Sequence, residues 1–167
     1  MQARHSIAAS VRPQQQLNSE LLAFESRRKA IHAYAQRKQL NPVDLEVLRQ
    51  LFLSHALDQC EAEALFALDA TLCGANADYD AFFVSLLSSH VIWDLRPTGV
   101  VNEAQSEWLV RQCDKARTPA RMALLSNVLA EAHRVPGWFA PVVRARLAAF
   151  QRAAEPVGEA AGLTITS

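Results

Sequence analysis

Leu57-Asp58-Gln59-Cys60-Glu61-Ala62-Glu63-Ala64-Leu65-Phe66 and Val101-Asn102-Glu103-Ala104-Gln105-Ser106-Glu107-Trp108-Leu109-Val110 are two copies of one pattern. Each reads as an apolar residue, an Asp or Asn, an acid or amide three positions further on, and then bulky apolar side chains. An Asp or Asn oxygen ahead of a first helical turn accepts its orphan backbone N–H groups, and a Glu or Gln at the third position reciprocates. Both stretches are therefore predicted to be helix starts, with Asp58 and Asn102 as N-caps. The repeat describes architecture and carries no chemistry of its own.

Working outward, Pro, Gly and capping residues divide the chain into about seven helical segments. Leu17, Leu21, Phe24, Arg28, Ile31 and Ala35 follow a 4-3-4-3-4 spacing, so they share one helix face. Asn41-Pro42 opens the next helix, with expected stripe Val43, Val47, Leu48, Leu51 and Phe52. The Asp58 helix carries Leu65, Phe66 and Leu72 and stops at Gly74. Asn76 begins a fourth, whose face is Phe82, Phe83, Leu86, Leu87, His90 and Trp93, before the Pro97-Thr98-Gly99 interruption. Asn102, Thr118-Pro119 and Trp138 open the last three.

No β-branched run alternates with polar residues, so strands are unsupported and the fold class is all-α. The expected arrangement is two pseudo-repeated helical hairpins packed around one core across an approximate twofold axis. One joins the helix ending near Leu53 to the Asp58 helix. The other joins the helix ending near Trp93 to the Asn102 helix. The expected divisions are a disordered tail over 1–16, a basic amphipathic helix over 17–39, a helical domain over 40–152 and a frayed tail over 153–167.

The 167 residues carry no net charge, but the charge is unevenly placed. Residues 1–39 are net +5, 40–113 net −8 and 114–167 net +3. Arg27, Arg28 and Lys29 make one edge of the first helix basic. That helix could pair with its own copy or dock a protein partner; resting on the acidic centre is the expected outcome. Bases interleaved with aromatic rings are absent, which speaks against a nucleic-acid surface. No apolar run approaches the roughly 18 residues of a membrane span. Cys60, Cys73 and Cys113 form no CxxC pair, so reduced thiols and a cytoplasmic location are expected.

Asp58-Gln-Cys-Glu-Ala-Glu-Ala-Leu-Phe-Ala-Leu and Gly99-Val-Val-Asn-Glu-Ala-Gln-Ser-Glu-Trp-Leu resemble the paired helix starts of TerB-like proteins, the bacterial tellurite-resistance helical domain. The resemblance covers about residues 40–150. It implies an all-α fold and an association with bacterial stress responses. The family's acidic loops, suggested to hold divalent cations or to act as docking surfaces, differ here. Ser54-His55 and Thr98-Gly99 stand where an Asp-Gly pair is usual.

Asp58, Glu61, Glu63, Glu103 and Glu107 are the hard oxygen donors from which a metal site could be drawn. Calcium prefers six to eight oxygens from a loop of alternating ligands, which neither link provides. His90 and Asp94 lie one turn apart, with His55 ahead of the first repeat, but no further ligand or catalytic group is tied to them. Cys60, on a first turn, gains from the helix dipole and loses from Glu61 and Glu63. The expectation is a non-enzymatic domain without a cofactor. Its alternative is a divalent-cation-binding stress protein. If the caps are structural, Asp58→Ala and Asn102→Ala each lower the unfolding free energy by about 0.5–2 kcal/mol in urea titrations.

Overall fold

The computed structural model describes residues 8–53, 56–74 and 76–155. They form seven α-helices: α1 (Ala8–Arg37), α2 (Pro42–Phe52), α3 (Gln59–Thr71), α4 (Ala77–Ser89), α5 (Glu103–Lys115), α6 (Pro119–Glu131) and α7 (Phe139–Ala154). No strand occurs among the described residues, so the protein is all-α. Helices α2 to α6 each begin on a side-chain cap: Asn41, Asp58, Asn76, Asn102 and Thr118. Both repeated starts close reciprocal capping boxes. The Glu61 N–H donates to Asp58 Oδ1 at 2.7 Å, and the Asp58 N–H donates to Glu61 Oε2 at 3.1 Å. The Gln105 and Asn102 pair repeats this at 2.9 and 2.8 Å.

Packing departs from the expected hairpins. Helix α3 lies mainly along α1, and α4 mainly along α6, with α7 on α6 and α2 on α1. Helices that follow one another directly, α2 with α3 and α4 with α5, are not the principal partners. The first helix also starts at Ala8 rather than Leu17; residues 1–7 of the expected tail lie outside the described residues. Ile31 and Tyr34 of α1 belong to the same buried core as residues of the following helices. Helix α7 ends at Ala154, and residues 156–167 of the second tail are again outside the described residues.

Several inward faces are rotated from those expected. Among the described side chains of α1 the buried ones are Arg27, Ile31 and Tyr34, while Arg28 and Leu21 are exposed. In α2 they are Leu45, Leu48 and Phe52, and Val43 and Val47 face solvent. In α4 the cause is local. The helix continues over His90–Asp94 as a π-helical turn, whose i→i+5 bonding takes more residues per turn than an α-helix. The extra residue carries Val91 and Ile92 into the core and turns Trp93 out, leaving it 42 % exposed. Trp93 then meets the His133 ring edge-on, centroids 5.5 Å apart. Gly99 adopts φ +78°, and a Cβ there would stand 2.7 Å from His133 Nδ1. Glycine is needed on both counts.

Sequence reasoning missed the charge at the centre. Arg121 is fully buried: its Nε donates to Asp69 Oδ2 at 2.6 Å and its Nη1 to the Gln112 carbonyl at 2.7 Å. Its Nη2 donates to the Phe66 carbonyl, and the guanidinium carbon lies 5.3 Å from the Phe66 ring centroid. The Thr118 hydroxyl caps α6 and also donates to Asp69 at 2.8 Å. By contrast, Arg146 and Asp114 tie α7 to α5 through a two-pronged contact near the surface. Removing one partner of a buried pair strands the other, which costs about 3–5 kcal/mol. Exposed pairs are worth about 0–1 kcal/mol. Asp69→Asn is therefore expected to lower the urea midpoint far more than Asp114→Asn; equal shifts in the two variants would refute the assignment.

Candidate functional site

The seam between α1 and α3 starts from a charge that α1 buries. Arg27 falls with Ile31 and Tyr34 at i, i+4 and i+7, which turns it inward. Its Nε lies 2.5 Å from Glu61 Oε1, and its guanidinium carbon 5.8 Å from the Phe52 ring centroid. Glu61 thus closes the first capping box with one oxygen and holds α1 with the other. Here the basic N-terminal helix does rest on the acidic centre, through a different arginine from the one the spacing singled out. Arg28 instead lies over the Phe24 ring at 5.5 Å, on the exposed side.

Outside that seam runs a groove of about 670 Å³ between α1 and α3. Ile31, Ala35, Ala64, Ala67 and Leu68 give it an apolar lining; Glu25, Arg28, Lys29 and His32 rim it. Small alanines on both helices leave the space, because their side chains do not reach across. Beyond its N-terminal end, Leu21 is 59 % and Leu22 65 % exposed. Leu21 shares a helix face with Glu25, Arg28, His32 and Ala35 by 4-3-4-3 spacing. The arrangement can bind an apolar side-chain row flanked by acid groups, and it presents two leucines of its own.

The acids proposed as oxygen donors have separate employments. Asp58 and Glu61 are bound to each other's backbone and to Arg27. Glu63 accepts from Gln59 and, at 3.2 Å, from the Trp108 indole N–H, and these two hydrogen bonds hold its carboxyl below the usual range. Glu103 accepts from the Trp138 indole at 2.5 Å. Glu107 is exposed. The structure does bring the two repeats together, since Trp108 also packs edge-on against Phe66 at 5.6 Å. Its acids do not converge: among the described residues no three His, Cys, Asp or Glu side chains are grouped to share a metal ion. Cys60 is exposed on the first turn of α3, and Cys113 is buried, which pushes its thiol up to about 12. His55 lies outside the described residues.

His90 is buried at the start of the π-helical turn, with no well-formed hydrogen bond at either ring nitrogen. It does not bond Asp94. Burial depresses its pKa below the ordinary 6.5, against the opposing pull of Asp94, the Leu57 carbonyl, Asp58 and Glu61. A depressed histidine pKa means that the unfolded chain binds the proton first, so stability is full above pH 6.5 and falls as the pH drops below it. Replacing His90 with Leu is expected to flatten the pH dependence of the melting temperature between pH 6.5 and 5. An unchanged slope would show that other groups set it.

No family model matches this chain, nor does any curated protein or solved structure, so the candidate site rests on its own geometry.

Proposed function

We propose that this chain is a non-enzymatic helical domain that acts through protein interaction, with α1 and the groove beside α3 as its docking surface. One observation carries the reading. Leu21 and Leu22 are exposed on α1 one turn before Glu25, which stands at the rim of a groove lined by Ile31, Ala35, Ala64, Ala67 and Leu68. An apolar groove rimmed by charged groups, with exposed leucines beside it, is the kind of surface an interaction site offers, and an amphipathic helix laid into such a groove is a recurrent mode of recognition. The unpaired cysteines support a reducing, cytoplasmic setting. No helix among the described residues is long and apolar enough to cross a membrane. The likeness of the two helix starts to TerB-like domains is the reason to place the interaction in a bacterial stress response. The divalent-cation alternative has no comparable observation, because Asp58, Glu61 and Glu103 already have partners.

A photo-crosslinking residue placed in turn at Leu22, Ala67 and the exposed Ala148 of α7 tests the surface in living cells. Protein adducts are expected from positions 22 and 67 and not from 148. Equal yields at all three, or none at 22 and 67, would remove the docking assignment.

A further inference from the structure

We infer that the occupant of the α1/α3 groove is α1 of a second copy of this chain, laid antiparallel so that Leu21 of each copy enters the groove of the other. The inference rests on reading the groove as a docking surface, and it names the partner. The first argument is length. Helix α1 has 30 residues and α3 has 13, or about 45 Å against about 20 Å at 1.5 Å per residue. The buried positions Arg27, Ile31 and Tyr34 take up the part of α1 that α3 can cover. Leu21 and Leu22 are left one to two turns beyond it, apolar and exposed.

The second argument is register. A twofold axis passing beside Ser26 sets position 21 of one copy opposite position 31 of the other. That brings the second copy's Leu21 over Ile31, Ala35 and Ala67, and the same operation fills the first copy's Leu21 into the second groove. Such an interface is isologous, with one patch complementary to itself. Parallel pairing would set leucine on leucine and Arg28 on Arg28, with both grooves empty.

Charge is the third. Glu25 lies one turn ahead of Arg28 and Lys29, and within the chain its contact with Lys29 is long and exposed, at 3.8 Å. In the antiparallel arrangement Glu25 of each copy is opposite position 27 of the other, and so within one turn of the other's Arg28 and Lys29. Opposite charges then meet twice, by symmetry, around the apolar centre.

Sedimentation equilibrium of the full chain tests this with two substitutions at exposed positions, Leu21→Asp and Ala67→Arg, each checked for unchanged helicity. The wild type is expected to dimerise reversibly, and each variant to dimerise at least about tenfold more weakly, as loss of a central contact does. An equimolar mixture of the two variants is expected to recover dimer. One leucine–groove contact is then intact, and the introduced Asp and Arg face each other in the other. A wild-type dimer indifferent to both substitutions, or a mixture no better than its parts, overturns the exchanged geometry. A strictly monomeric wild type overturns the second copy as occupant. The docking reading survives that result if positions 22 and 67 still crosslink to a different protein, and falls with it if they crosslink to nothing.

Discussion

A guanidinium sealed in the middle of a helical core has to be answered from every side, and that demand organises this fold. Arg121 is met by the Asp69 carboxylate and the Phe66 carbonyl from α3, by the Gln112 carbonyl from α5, and by the Phe66 ring beneath it. Three helices are thereby fixed in angle and in register at once. An apolar side chain of similar volume could fill the space with comparable stability, since desolvating an ion pair consumes much of its Coulomb gain. What it could not do is penalise a slip of one helix by a turn. The Phe66 and Gln112 carbonyls lie within helices, so the arginine reads position along α3 and α5 as well as proximity.

The second buried arginine applies the same logic to α1, and it shows why the repeat is imperfect. At the third helical position the first copy has Glu61 and the second has Gln105. Either side chain closes a capping box. Only the acid can also neutralise Arg27, and only the first copy has a cation to neutralise. One atom, oxygen against nitrogen, separates a helix start that recruits α1 from one that does not.

Helix starts were the most legible part of the sequence, because caps act within three residues and need no tertiary partner. The Asp58, Asn102, Asn76, Asn41 and Thr118 caps all follow from neighbours in the chain. Faces were less legible where the apolar residues outnumber those a helix can bury, as with Val43 and Val47 against Leu45. The π-helical turn at His90–Asp94 defeated a count based on a period of 3.6. The two buried arginines do leave a trace in the spacing. Arg27 stands at i, i+4, i+7 with Ile31 and Tyr34, and Arg121 with Leu125 and Val128. Likewise Glu61 keys with Leu65 and Leu68, and Asp69 with Leu65 and Leu72. A charge in phase with an apolar stripe is a signal of a buried pair, but which acid meets which arginine is set by helix packing that spacing alone does not encode. The groove was invisible for that reason too, being a gap between alanines on two helices.

The pairing of α1 with α3 and of α4 with α6, each across an intervening helix, has a consequence in time. In an up-and-down bundle, contacts form between helices joined by a short turn, and the chain closes small loops first. Here α1 meets α3 across the whole of α2, and α4 meets α6 across the whole of α5. The link from Leu95 to Val101 is likewise held by backbone bonds to His133 and Arg134, from the far end of α6. Loops that long must be closed before the packing that rewards them is gained, and folding slows as the mean sequence separation of contacts rises. The chain therefore spends longer than a simple helical bundle with its amphipathic faces uncovered.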